Sequence, residues 1–117
     1  VSRIAALEEA TLIHATLGAL RREGHWDAFL RLVDCTRLQR GFGDFLCYTM
    51  VAEGKGEIAL APGVKPWDLA AVKILVEEAG GRFTDLAGAF TIYSGTALGT
   101  NGRLHDLALA VIRGHSP

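Results

Sequence analysis

The stretch Pro66-Trp67-Asp68-Leu69-Ala70-Ala71-Val72-Lys73-Ile74-Leu75-Val76-Glu77-Glu78-Ala79-Gly80-Gly81-Arg82-Phe83-Thr84-Asp85 decides the fold. Proline suits the first turn of a helix, where its missing N–H has no intrahelical partner to lose. Trp67, Ala70, Ala71, Ile74 and Leu75 then recur at i, i+3, i+4, i+7 and i+8. That spacing predicts one apolar stripe facing the core. Gly80-Gly81 stops the helix. Arg82-Phe83-Thr84 reads as a strand, and residues 85–88 as a turn.

Outward from this helix, strands and helices alternate. Upstream, residues 10–17 read as a strand. Trp26, Phe29, Leu30 and Val33 mark an amphipathic helix over residues 25–33. Residues 35–39 form a short strand, and Asp44 caps a helix running to about Ala52, ended by Gly54. Residues 57–61 are a strand and Pro62-Gly63 a turn. Downstream, residues 90–92 and 97–100 read as strands. Asn101 caps a last helix carrying Leu104, Leu107, Ala108 and Val111, which Gly114 ends. Alternation of this kind predicts an α/β fold, a central sheet covered by helices.

Composition narrows the class. The 117 residues are half apolar and 21% charged, as in a globular domain with its own core. Net charge is −1 from 12 basic and 13 acidic residues, with no basic stripe, so nucleic acid is not an expected partner. No apolar run approaches the roughly 18 residues of a membrane span. Arg3 and Glu8-Glu9 interrupt the start, so no secretory leader is read there. Cys35 and Cys47 are the only cysteines, which suggests a reducing, cytoplasmic setting and two small buried hydrophobes. The first residue is Val1 rather than Met, and the expectation is that further residues precede it.

Three groups could carry chemistry. Asp68 lies in the first turn of the central helix. It either complements the helix dipole or offers a hard oxygen ligand to Mg²⁺. In residues 40–44, glycines precede a helix start, where free amides attract anions. Arg40 adds a fork of donors for phosphate or carboxylate. The ordinary alternative is a tight loop with a capping Asp44. Leu46 stands where a dinucleotide fingerprint needs its third glycine. His14, His25, His105 and His115 are scattered without ligand or triad spacing, and read as surface or satisfied histidines.

Together these pieces resemble a known family. Pro66-Trp67-Asp68-Leu69-Ala70-Ala71, a helical spacer and Glu78-Ala79-Gly80-Gly81 resemble the C-terminal signature of the inositol monophosphatase family. Thr84-Asp85, Gly88, Thr100-Asn101-Gly102 and Leu104-His105 continue it, and residues 40–44, Val51-Ala52, Gly54 and Glu57 extend it upstream. Gly43-Asp44 and the run from Glu78 to Asp85 look most like the bacterial histidinol-phosphate phosphatase branch.

The resemblance implies a single α/β domain over residues 1–117, equivalent to the C-terminal half of a phosphatase without its N-terminal metal-binding half. It implies Mg²⁺-dependent hydrolysis of a small phosphorylated substrate, a homodimer and no organic cofactor. Asp68 matches the metal-binding aspartate. Gly43, Asp44 and Phe45 match the loop and helix start that contact substrate, with Arg40 beside them. The family's G-E-E and D-P-[IL]-D-G-T motifs do not occur here, so the isolated chain is expected to be inactive. Ala61 stands seven residues before Asp68, where the family usually has Asp or Glu against a substrate hydroxyl or amine. A family-derived binding or scaffold domain is the alternative.

Overall fold

The computed structural model describes residues 1–43, 45–62 and 64–114. After a 3-10 turn at Leu7–Glu9, the elements are β1 (Thr11–His14), α1 (Leu17–Arg22), α2 (Trp26–Cys35), β2 (Leu38–Gly41), α3 (Leu46–Ala52), β3 (Ile58–Pro62), α4 (Pro66–Glu78), β4 (Arg82–Thr84), β5 (Thr96–Thr100) and α5 (His105–Ile112). The five strands form one sheet in the order β2-β1-β3-β5-β4. β1 pairs parallel with β2 and β3, whereas β5 runs antiparallel to both β3 and β4. The expected α/β class is therefore the observed one.

Alternation along the strands explains the layers, because successive side chains leave a strand on opposite faces. Leu12, Ile58, Leu60 and Leu98 join Leu20, Phe29, Leu32, Leu104 and Ala108 in one core, under α1, α2 and α5. Ile13, Ala59, Ala61, Ala97 and Phe83 join Cys47, Tyr48, Val51, Leu69, Val72 and Val76 in a second core, under α3 and α4. Strands buried on both faces read as continuous apolar runs. The second face carries small residues in its central strands. They let α3 approach closely, and a β-carbon on Gly99 would lie 3.0 Å from the Tyr48 ring.

Helix α4 ends in a Schellman motif. The Gly80 N–H donates to the Glu77 carbonyl and the Gly81 N–H to the Val76 carbonyl, at 3.1 and 2.9 Å. Gly80 takes φ +97°, which favours glycine. Gly81 is needed for a different reason: a β-carbon there would sit 2.3 Å from the Thr100 carbonyl oxygen of β5.

The orientation of α4 corrects the expected stripe. Trp67, Ala70, Ala71, Ile74 and Leu75 face outward, and Leu69, Val72 and Val76 face the sheet. The helix is apolar on both sides, so periodicity alone had two stripes to choose from. The sheet took the one whose branched side chains fit its small residues.

Other boundaries moved too. The strand expected over 10–17 ends at His14, and the short helix α1 starts at Leu17. Six residues are too few to display a helical period. The strand expected over 35–39 begins later, because α2 continues to Cys35. Residues 90–92 form no strand; Asp85 Oδ1 instead accepts the Ala87 and Ala89 N–H groups in a tight turn. Asn101 does not sit at the N-cap of α5. Its Oδ1 accepts the Leu104 N–H at 3.2 Å, one turn ahead of the helix, while its Nδ2 donates to the Ile4 carbonyl at 2.7 Å. Gly63 and the 115–117 tail, including His115, lie outside the described residues.

Candidate active site

The strand order turns around β1. The chain leaves β1 through α1 and α2 to reach β2 on one side, then returns through α3 on the opposite face to β3 on the other side. In open α/β sheets, a crevice opens at such a reversal, beyond the carboxyl ends of the parallel strands. Here it is a cavity of about 850 Å³, and Ala15, Thr16, Ala61 and Pro62 form its floor at the ends of β1 and β3. Gly43, Phe45, Tyr48 and Thr49 wall one side, and Asp68, Leu69, Ala71, Val72 and Leu75 of α4 the other. That volume suits a small molecule.

Of the sequence candidates, Gly43, Phe45 and Asp68 meet around this cavity. Asp44 lies outside the described residues. Arg40 is not part of the wall: it sits exposed on the edge strand β2, and its guanidinium donates to the Gln39 carbonyl at 2.9 Å. Charge on an edge strand also discourages unwanted pairing.

Asp68 is exposed at the start of α4. Its Oδ2 accepts the Lys65 N–H at 3.3 Å, while the Asp68 N–H donates to the Lys65 carbonyl at 3.0 Å. The Oδ2 bond turns the carboxylate toward the helix start and leaves Oδ1 without a hydrogen bond among the described residues. Among the described residues, no group of three or more His, Cys, Asp or Glu could hold a metal ion. The donors present thus fit one ligand of a hard cation rather than a complete shell.

Two features of the cavity were not read from the sequence. Tyr48 belongs to the wall, and its hydroxyl is buried with no hydrogen-bond partner among the described residues. Burial pushes that phenol's pKa well above its usual value, so it is a neutral group. Nothing in the local sequence separates it from an ordinary core aromatic of α3. Thr16 and Thr49 also reach the cavity, the former from the β1–α1 junction that was read as strand. Ala61 is 4% exposed at the cavity floor.

His105 is a satisfied core histidine, as expected. Its Nε2 lies 2.8 Å from Thr84 Oγ1 and its Nδ1 2.9 Å from Thr100 Oγ1. Burial, with a smaller contribution from the nearby Arg82 charge, lowers its pKa to about 4. His14 is half-buried, 2.9 Å from the Ala15 carbonyl and edge-on to Phe29.

Comparison with known proteins agrees with this geometry. The sequence model of the inositol monophosphatase family matches residues 6–116. The histidinol-phosphatase of Mycobacterium tuberculosis is 46% identical over 109 residues, covering 93% of this chain and 42% of that protein. The histidinol-phosphatase of Streptomyces coelicolor is 40% identical over 112 residues, covering 96% of this chain and 42% of its own length. Among solved structures, inositol monophosphatase from Anabaena superposes over 100% of this chain and 48% of its own, with a TM-score of 0.88 and 30% identity. The chain thus spans less than half the length of the relatives it matches. Signature residues, sheet order and cavity lead to one assignment: the chain belongs to the inositol monophosphatase family.

Proposed function

We propose that this chain is the substrate-side part of a Mg²⁺-dependent phosphomonoester hydrolase, with Asp68 as one oxygen ligand of the metal. The observation that carries the reading is Asp68 itself, a carboxylate on the rim of the cavity with one oxygen free of hydrogen bonds among the described residues. Mg²⁺ prefers such oxygens, and when bound it neutralises phosphate charge and activates water for attack. Gly43 and Phe45 line the opposite wall and would orient the phosphorylated alcohol.

Histidinol phosphate is the proposed substrate. Two relatives at 40–46% identity carry the name histidinol-phosphatase. Ala61 at the floor offers no polar partner to a substrate hydroxyl or amine, so the choice of substrate rests on these two relatives.

The test is phosphate release by the full-length gene product from histidinol phosphate and from inositol monophosphate, with and without Mg²⁺. Asp68→Asn keeps the size of the side chain and removes its charge. We expect it to lose roughly tenfold to a hundredfold in activity, as for other damaged metal shells. Equal activity of the two proteins rules out Asp68 as a ligand. No activity in either favours a binding or scaffold domain, the reading that a lone carboxylate also allows.

A further inference from the structure

Among the described residues, the Tyr48 hydroxyl is the one buried side-chain oxygen or nitrogen without a hydrogen-bond partner. Buried polar groups are almost always paired, and a buried tyrosine hydroxyl usually finds a partner. An orphaned hydroxyl lowers stability, because it gives up water and gains no bond in exchange. Phenylalanine would fill the same space without that loss. The hydroxyl therefore calls for a partner that the described residues do not supply.

The surroundings narrow where that partner comes from. Tyr48 is 2% exposed, and its ring lies against Gly99 of β5 and 5.4 Å from the Phe83 ring of β4. Interiors packed this closely hold a side chain in one place. Its companions in that core, such as Ile13, Val51, Ala59 and Ala97, carry hydrocarbon side chains. Tyr48, Ala61, Leu69 and Val72 belong both to this core and to the cavity wall. Tyr48 thus stands at the seam where the core opens into the cavity. Of the polar side chains on the wall, Thr49 donates its hydroxyl to the Leu46 carbonyl at 2.9 Å, and neither it nor Asp68 pairs with Tyr48. What remains is a molecule held in the cavity itself.

The cavity is graded in polarity. Asp68 stands at its exposed rim, which suits a charged phosphate and its metal. Tyr48, Ala61 and Leu69 line its buried part, which suits the organic portion of a phosphomonoester. Ala61 and Leu69 offer that portion no polar side-chain atom, whereas Tyr48 does. A neutral phenol both donates and accepts. Its partner is uncharged too, because an unpaired charge beside apolar walls is costly.

We propose that Tyr48 is a specificity-determining residue whose hydroxyl hydrogen-bonds an uncharged polar atom, a hydroxyl oxygen or a ring nitrogen, on the alcohol part of the phosphomonoester. Substrate binding then satisfies a hydroxyl that the described residues leave unpaired. The assignment rests on the phosphomonoester reading above, but neither on which alcohol is released nor on Asp68 as a metal ligand.

Tyr48→Phe removes the oxygen and keeps the ring. In the full-length gene product, kcat/KM is measured for phenyl phosphate, whose alcohol has no polar atom beyond the bridging oxygen, and for the faster of histidinol phosphate and inositol monophosphate. The substitution should lower the ratio of the polar ester to phenyl phosphate about fivefold, mainly through KM, as for the loss of one neutral hydrogen bond. A defect at Asp68 lowers both esters together, so the two assignments fail separately. The Tm of the full-length protein and of the 117-residue chain should not fall. An unchanged ratio overturns the proposal. A lower Tm of either protein overturns it as well, because the partner of the hydroxyl then belongs to the polypeptide. If the wild type releases no phosphate, calorimetric titration with histidinol and with inositol carries the test. Tyr48→Phe should then weaken the tighter of the two about fivefold. Equal affinity in both proteins, or no binding of either alcohol to the wild type, overturns the proposal.

Discussion

His105 shows how one buried side chain sets a pH limit. Both ring nitrogens are engaged by threonine hydroxyls from neighbouring strands, and the ring has no exposure. The neutral form fits this pocket, and burial lowers the pKa to about 4, against about 6.5 in an unfolded chain. Between those values the unfolded state holds a proton that the folded state does not, so stability rises with pH across the window. It is fully present above about pH 6.5 and lost as pH falls towards 4. The loss attributable to this group approaches about 3 kcal/mol. Urea midpoints at pH 7 and pH 4.5 check it. His105→Gln should remove this part of the acid destabilisation, and an unchanged difference between the two pH values rules the assignment out. From its isolation in the sequence the histidine was legible as a surface or satisfied one, and it is the latter. Its two partners were not, because Thr84 and Thr100 meet only when β4 and β5 pair.

At the scale of the element, α4 shows both the reach and the limit of pattern reading. Its start at Pro66 and its stop at Gly80-Gly81 follow from backbone chemistry that each residue carries by itself. Which side faces inward does not, since both sides are apolar and the packing surface decides. Substitution separates the faces. Leu69→Ala should destabilise the 117-residue chain by about 2–5 kcal/mol, the range for emptying a well-packed leucine site. Ile74→Asn should change it by no more than about 0.5 kcal/mol, as for an exposed position. Denaturant titration of both variants measures this; equal losses would mean that α4 is turned as the simple stripe suggests. The 85–95 segment makes the same point for strands. Phe90, Thr91 and Ile92 have strand composition, but Asp85 captures the backbone amides of Ala87 and Ala89 and holds a turn instead.

For the whole molecule, the sheet reversal at β1 gathers Thr16, Phe45, Ala61 and Asp68 from four separate segments around one cavity. One carboxylate with water makes a poor magnesium site. Calorimetric titration of the 117-residue chain with MgCl₂ should therefore show no binding tighter than the millimolar range. Micromolar binding would reveal oxygen ligands besides Asp68 within this chain. Repeating the titration with the full-length gene product separates a defective Asp68 from an incomplete shell.

By itself, the sequence determined the class, the family signature, the two ends of α4 and the position of Asp68. These are local properties: a proline or glycine constrains its own backbone, and a motif is written in consecutive residues. Tertiary structure alone decided that Arg40 stays on an edge strand while Phe45 reaches the cavity. It also decided that the Tyr48 hydroxyl is buried without a partner among the described residues and that the stripe on α4 points away from the sheet. Each depends on which surfaces meet, and a pattern along one chain cannot specify its counter-surface.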